Sequence, residues 1–500
     1  MHAVSSPAPL AAIDLGSNSF RLEIARLYRG DYKRLDYIKE TVRLGGGLDA
    51  QGMLTEEATQ RGLDCLGRFA AHLKGMGPDR VRAVATQTLR EARNRDAFLR
   101  RAESVLGFPI EVISGREEAR LIYAGVARLQ PSEQPRLVID IGGRSTEMIL
   151  GQSRQPQQAE SFQVGSVGLS MRFFGDGRLT REGFRAAQIA AGAELEEALQ
   201  LFDRTRWQEA LGSSGTVGAV SQLLAASNIT DGRITPAGLR WCIEQCLAAG
   251  HVDKLDLPGL KADRLAVVAG GLCILYTLLT HFDIAALFPA KGALRQGVIF
   301  DLAERLDAQR HAGVGDMRDH SVLALQQRFA VDTVQAQRVA RLAGALHRQL
   351  SPKAARELQR ELAWAAALHE IGMMVSHHDH HRHSAYLLGH VDAAGFSQSQ
   401  LRRLADLALG QRGGLRKLEH RFDDADFLAQ LVSLRLSVLA CHARSDVRPQ
   451  VFSLAGGRQR LRLKIARHWA AQQPRALYLL EQEVEDWSRS GVLALDLSVA

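Results

Sequence analysis

The chain has 500 residues and a mass of 54.8 kDa, which at roughly 100–200 residues per domain predicts about three domains. Hydrophobic residues make up 46% and charged residues 24%, which excludes collagen-like, low-complexity and wholly disordered chains. Lys+Arg total 63 against 55 Asp+Glu, a net charge of +8; this moderate surplus points to a polyanionic partner without naming nucleic acid, lipid or phosphate.

The N-terminus, Met1 to Pro7, lacks a basic region followed by an apolar core, so no signal peptide is expected. From there to about residue 300, short β-branched runs (11–25, 81–86, 110–114, 136–141, 146–151) alternate with amphipathic stretches such as 56–73 and 182–202. That alternation predicts an α/β architecture. Residues 265–282 are apolar enough to mimic a short membrane span, but Gly270, Gly271, two threonines and Tyr276 predict a buried core helix instead. Beyond about 305 helical periodicity dominates, as in 334–350 and 357–369, and 13 of the 17 histidines lie there. A domain boundary near 305 follows, with the Gly-containing stretch 311–316 as its linker. Residues 492–499 alternate again and read as a strand. The five cysteines are scattered and odd in number; Cys242 and Cys246 fit one helix face, and no disulfide framework is expected, which favours a reducing compartment.

An internal repeat carries the most information. Asp14-Leu15-Gly16-Ser17-Asn18-Ser19 and Asp140-Ile141-Gly142-Gly143-Arg144-Ser145 each follow one strand and precede another, and the two Asp lie 126 residues apart. Two such hairpins predict two related lobes, each offering a loop to a shared cleft. Glycine lets backbone approach a ligand, and successive N–H groups with hydroxyls form an anion nest. An Asp at each strand end suits hydrated Mg²⁺, which prefers oxygen ligands. Gly212-Ser213-Ser214-Gly215-Thr216 precedes a helical run and suits phosphate or nucleoside binding at a helix N-terminus. Glu117 and Glu118 open a helix after the strand 110–113; a carboxylate there can activate water. Arg90 and Arg93 could grip phosphate bidentately.

These segments, with Ala293-Leu294-Arg295-Gln296-Gly297, together resemble the exopolyphosphatase / guanosine pentaphosphate phosphohydrolase (Ppx/GppA) family, in its long bacterial form. The resemblance implies a duplicated two-lobe, actin-like ATPase (ribonuclease H-like) α/β fold followed by an all-α HD-like C-terminal domain. It divides the chain into lobe I (1–127), lobe II (128–305), a helical HD-like domain (306–475) and a small subdomain (476–500). It implies Mg²⁺-dependent, processive hydrolysis of terminal phosphate from inorganic polyphosphate, with pppGpp hydrolysis as the alternative. Glu118 matches the catalytic base, and Asp14, Asp140 and Glu147 match the metal and phosphate carboxylates. Gly16, Ser17, Asn18, Ser19, Gly142, Gly143, Ser145, Gly212, Ser214, Gly215 and Thr216 match the phosphate loops, and Arg90 the substrate arginine.

Three departures from the family pattern stand out. Arg144 replaces a third glycine and is expected to add a cation to the phosphate site. Gln296 replaces a Glu, and Ala290-Lys291 stand where a Ser and often an Asp are usual. In the HD-like region Glu370 stands for Asp after His369, and Gln335 occupies the upstream His position, so no working metal pair is expected there. The cluster His377, His378, His380, His381 and His383 reads as a polar, partly protonated loop that could receive polyphosphate. A non-catalytic phosphate or nucleotide sensor would lack the carboxylates that are present. No nucleic-acid motif accompanies the 6% aromatic content, so no specific nucleic-acid partner is expected. The resemblance further implies a homodimer in the cytoplasm, and a basic face is able to dock peripherally on the inner membrane.

Overall fold

Leu10–Leu15 (β1), Ser19–Tyr28 (β2) and Asp31–Thr41 (β3) form an antiparallel meander. Val81–Ala85 (β4) lies parallel beside β1, and Ile110–Val112 (β5) parallel beside β4, giving the order β3-β2-β1-β4-β5. The second sheet repeats this arrangement. Arg136–Ile141 (β6), Thr146–Gln152 (β7) and Gln155–Phe162 (β8) form the meander, and Glu209–Gly212 (β9) and Phe288–Pro289 (β10) extend it, in the order β10-β9-β6-β7-β8. Read from the meander, the two orders are the same, so the repeated Asp-Gly motif reports a duplicated fold. This computed structural model describes residues 8–28, 31–310, 316–457 and 459–500. Two compact units divide between His311 and Ala312. The expected leader-free start and most of the expected linker, 311–315, lie outside the described residues.

In the first lobe Glu56–His72 (α1), Gln87–Glu91 (α2), Arg95–Leu106 (α3) and Gly115–Leu129 (α4) connect and follow the strands. In the second, Ser166–Phe173 (α5), Arg181–Leu195 (α6), Ala198–Leu201 (α7), Gly215–Ala226 (α8), Pro236–Ala249 (α9), Leu265–His281 (α10) and Leu294–Arg310 (α11) do the same. The apolar helix α10 buries eleven side chains or glycines, Val268 to Leu279, in the core of the second lobe, as its composition predicts. All five cysteines are free and buried.

Helices α4 and α11 cross where neither has a side chain to spare. A Cβ on Gly297 would fall on the Leu121 carbonyl, one on Gly125 on the Ala293 carbonyl, and one on Gly292 on the Gly125 backbone. Backbone-to-backbone approach of this kind requires glycine. Beyond the crossing, a buried ion network ties α11 to lobe I: Asp301 accepts from Arg82 on β4 at 2.7 Å, from Arg120 on α4 at 2.5 Å and from Arg305 at 2.7 Å. The three guanidiniums outweigh the burial of Asp301 and hold its carboxyl far below the ordinary range.

The C-terminal unit is a helical array: Met317–Arg328 (α12), Thr333–Leu350 (α13), Arg356–Leu368 (α14), His380–His390 (α15), Gln398–Gly410 (α16), Ala425–Ala440 (α17), Arg467–Gln472 (α18) and Pro474–Ser490 (α19). The all-α expectation is corrected here. Phe452–Gly456 (β11) pairs antiparallel with Arg460–Ile465 (β12), which pairs parallel with Ala494–Val499 (β13). In β12 Arg460, Arg462 and Lys464 are exposed while Leu461, Leu463 and Ile465 are buried; six residues of alternation among charges are too short to stand out against the helical background. The stretch 476–500, expected as a subdomain of its own, completes this sheet and places Leu480, Trp487 and Leu495 in the same core.

The glycine crossing gives a direct test. Gly297→Ala is expected to cost about 3 kcal/mol, read as a fall in Tm, whereas Gly46→Ala, with nothing within 4 Å of the added carbon, leaves Tm unchanged. Equal Tm values for the two variants would mean that the helices do not meet at these glycines.

Candidate active site

Both Asp-Gly loops open into one cleft. In each, a tight turn needs its glycine: a Cβ on Gly16 would sit 3.0 Å from the Ser19 carbonyl, and one on Gly142 3.1 Å from that of Ser145. The cleft is lined by Asp14, Gly16, Ser17, Asn18 and Ser19 from the first lobe and by Asp140, Gly142, Gly143 and Ser145 from the second. Glu118 joins them from α4, which Ser114 caps by accepting from the Glu117 N–H. Ser214, Gly215 and Thr216 join from the start of α8. Here the hydroxyls are already engaged: Ser214 accepts from the Val217 N–H at 3.1 Å and Thr216 donates to the Ile141 carbonyl at 3.1 Å. What α8 offers an anion is its N-terminal backbone and dipole.

Four expected site residues stand off the cleft surface. Gly212 ends β9 against Val217 and Leu287. Arg90 is turned onto Glu118, donating Nη1 to Oε2 at 2.8 Å and to the Ile113 carbonyl at 3.0 Å. Glu147 is buried behind Asp140, its cross-strand partner; Oε1 accepts from Ser161 at 2.8 Å and Oε2 has no hydrogen-bond partner among the described residues. Arg144 does not face the phosphate loops, and that expectation is corrected. Its guanidinium reaches lobe I, where it meets Glu91 at 2.8 Å and the Gly45 carbonyl at 3.3 Å; a carboxylate within reach claims the charge that was assigned to the ligand.

Glu118, Asp140 and Glu147 share a desolvated space, and burial raises all three carboxyls. Glu118 is pushed up to about 8 by burial and by Glu147, against the pull of Arg90. Asp140 is pushed up to about 7 by burial and by Glu118, against Arg21, and Glu147 to about 7 by burial and by Asp140, against Arg90. Like charges in low dielectric hold protons unless a cation arrives. Among the described residues no three His, Cys, Asp or Glu side chains form a ready metal cage. Mg²⁺ does not need one, since it keeps several waters and is held through one or two carboxylates plus substrate phosphates. The unpartnered Oε2 of Glu147 beside Asp140 fits that donor set.

Four polar cleft residues escaped the sequence reading: Arg21, Thr86, Ser166 and Arg264. Arg21 faces Asp14 across the β1–β2 ladder and contacts it at 3.2 Å. It sits 126 residues before Glu147, so the repeat that located the two Asp could also have located it. The side chain of Arg264, at the start of α10, makes no hydrogen bond or ion pair among the described residues; burial and the neighbouring Arg21 lower its pKa. A second pocket, of about 430 Å³, shares Arg21, Ser213, Ser214, Gly215 and Arg264 with the cleft and adds Arg34, Lys39, Lys261, Lys291 and Arg295 around Tyr37. Arg34 and Arg295 lie over the Tyr37 ring at 5.5 and 5.1 Å.

In the C-terminal unit, His380 and His381 are buried, and desolvation with neighbouring cations lowers each to about 4. They are neutral at pH 7, so the partly protonated loop expected there is corrected for these two. Gln335 donates to the Cys441 carbonyl at 2.9 Å, and Glu370 pairs with Arg444 at 2.9 Å.

Residues 24–306 match the Ppx/GppA phosphatase family, and residues 317–484 match Ppx/GppA phosphatase, domain III. The chain belongs to this family. Its members hydrolyse phosphoric anhydrides, and so does this enzyme. The guanosine-5'-triphosphate,3'-diphosphate pyrophosphatase of Photobacterium profundum is 37% identical over 481 residues, 95% of each chain. The protein of the same name from Vibrio cholerae is 36% identical over 486 residues, 96% of each chain. An exopolyphosphatase structure from Cytophaga hutchinsonii superposes on 62% of this chain and all of its own, with a TM-score of 0.54 and 25% identity. The sheets are of the actin-like ATPase type. Gln296, which departs from the family pattern, donates to both oxygens of buried Glu23 at 2.9 and 2.7 Å and accepts from the Ala293 N–H at 2.9 Å. A glutamate at 296 would set two buried carboxylates against each other.

The carboxyl cluster has a stability consequence. Without bound cation the folded state holds protons that the unfolded state has released, so stability falls as pH rises from the ordinary carboxyl range, about 4.5, through about 8. Glu147→Gln removes one of the opposing charges. It is expected to raise the Tm of the metal-free enzyme at pH 8 by roughly 2–4 °C and to have less effect at pH 5; a lower Tm at pH 8 would contradict this electrostatic picture.

Proposed function

We propose that this enzyme removes the terminal 5'-phosphate of guanosine 5'-triphosphate 3'-diphosphate (pppGpp). The motifs alone rank inorganic polyphosphate first. The basic pocket around Tyr37 carries the change of order, and the names of the two nearly full-length relatives agree with it. The cleft itself is small, about 80 Å³, against about 430 Å³ for the pocket. A terminal phosphate suits the first. A nucleoside with a second phosphate group suits the other, where an aromatic face can stack a base and cations can meet phosphate.

In this reading the terminal phosphate lies between the loops 16–19 and 142–145, against the N-terminus of α8. Glu118, as carboxylate, orients a water and takes its proton. The water oxygen forms the new bond to phosphorus, and the bond from phosphorus to the bridging oxygen breaks, leaving inorganic phosphate and the shortened nucleotide. Arg21 and Arg264 flank the developing charge, which is where electrostatic stabilisation counts most. Mg²⁺ at Asp140 and Glu147 would supply charge neutralisation for the phosphate oxygens. Arg90 holds the Glu118 carboxylate in place.

The C-terminal unit is proposed to be HD-like without a working metal pair. The amide of Gln335 and the Glu370–Arg444 pair are taken up by protein contacts that a metal would displace. Metal analysis of the purified enzyme is expected to find no tightly bound transition-metal pair there, and two such ions would overturn the proposal.

Phosphate release from pppGpp and from long polyphosphate, side by side, tests the substrate. Higher kcat/KM on pppGpp is expected; the reverse would restore polyphosphate. Glu118→Gln should lower kcat by about 10²–10⁴, and full activity would remove Glu118 as base. In the metal-free enzyme its carboxyl is raised toward about 8, and a bound cation opposes that rise, so the acid limb of the rate profile belongs above pH 4.5 and moves down as Mg²⁺ approaches saturation. Tyr37→Ala should raise KM for pppGpp and leave polyphosphate unaffected.

A further inference from the structure

A side chain that faces away from the ligand is connected to the base. Arg144, in the second-lobe loop, donates Nε to Glu91 Oε2 at 2.8 Å. Glu91 Oε1 accepts from the Gln87 amide at 2.7 Å, and the same amide's oxygen accepts from Arg90 Nε at 2.8 Å. Arg90 Nη1 then donates to Glu118 Oε2 at 2.8 Å. Each link uses the previous one's orientation, because one Gln87 amide cannot turn over without breaking both of its bonds.

Both ends of the Arg144 reach are prepared for it. Gly45 has no side chain where the arginine crosses: a Cβ there would come within 3.1 Å of Arg144 Cδ and within 3.0 Å of Ser17 and Thr88. On the other side, a Cβ on Gly165 would fall on the Arg144 backbone. The N–H groups of Ser166 and Val167 donate to the carbonyls of Gly142 and Gly143 at 3.0 and 2.8 Å, so the start of α5 braces the loop.

We infer that Arg144 is a positioning residue that acts from the second lobe, through Glu91, Gln87 and Arg90, to set the direction of Glu118. This inference rests on the reading of Glu118 as the base. The physical reason is competition for one cation. Glu91 stands one residue from Arg90 and is kept off it by Arg144. With Arg144 gone, the Glu91 charge is left without its cation, and Arg90, whose Nη2 has no hydrogen-bond partner among the described residues, turns to it and leaves Glu118.

Arg144→Gln is expected to lower kcat about tenfold, the cost of a slightly misdirected reacting group, with KM little changed because its side chain does not line the cleft. The double variant Arg144→Gln/Glu91→Gln, which removes the competing anion as well, should recover most of that loss. Arg144→Lys, which keeps a cation on Glu91, should recover most of the rate. A rise in KM at constant kcat would show Arg144 to be a ligand contact, and a double variant as slow as Arg144→Gln or slower would show that Glu91 does not compete for Arg90; either overturns the inference. A crystal structure of Arg144→Gln decides it without substrate: Arg90 turned onto Glu91 supports the relay, and Arg90 still on Glu118 overturns it. Wild-type enzyme inactive on both phosphate substrates would sink the proposed function instead, with the crystal result still deciding the relay.

Discussion

Three carboxyl groups buried side by side are the constraint around which the catalytic unit is arranged. Glu118, Asp140 and Glu147 come from three different elements, and none gains stability from the others' charge. Such a cluster persists only if the surrounding fold over-determines it. Arg90 neutralises part of it, and the remainder waits for a cation or holds protons. The arrangement is costly to the empty protein, and the same cost makes the site receptive to a cation-bearing phosphate.

The duplication explains how one fold supplies both halves of the chemistry. Corresponding positions of the two hairpins carry Asp14 with Arg21 and Asp140 with Glu147. In the first lobe the cross-strand pair is self-neutralised, at 3.2 Å. In the second it is two acids. The repeat has therefore kept its backbone turn, with a glycine closing against the carbonyl three residues on, while its charges have diverged. One loop presents phosphate with donors and a cation, and the other presents oxygen ligands. The crossing of α4 and α11 at glycines brings these unlike loops to a shared cleft and carries Glu118 into it.

Much of this was legible in the sequence because it is local. The Asp-Gly turns, the strand alternation and the helix starts that follow 110–113 and 212–216 are all read within a few residues. The edge strands β3 and β8 were not, since all but one of their residues are exposed or half-buried and their polar composition resembles a loop. Arg264 was not, because nothing near it in the chain distinguishes it; only folding sets it beside Arg21. Arg144 was placed in the right loop and given the wrong direction. Sequence reports that a guanidinium is present, and a carboxylate 53 residues away decides where it points.

The charge surplus shows the same limit in another form. Residues 301–500 hold 27 Lys+Arg against 22 Asp+Glu and most of the histidines, which suggests that the polyanion is received there. Yet buried imidazoles such as His380 and His381 carry no charge at pH 7, and many surface arginines of that unit are spent on acidic neighbours, as Arg338 on Asp446 and Arg421 on Asp406. In the N-terminal unit fewer surplus cations are placed to more effect. Arg21, Arg264, Lys261 and Lys291 converge on one pocket from three separate segments, and of its basic residues Arg21, Lys39 and Arg295 have acidic partners at 3.2, 3.1 and 3.2 Å. An anion responds to the field where it binds, and that field is set by convergence and by the partners a cation lacks, both of which are properties of the fold and neither of the composition.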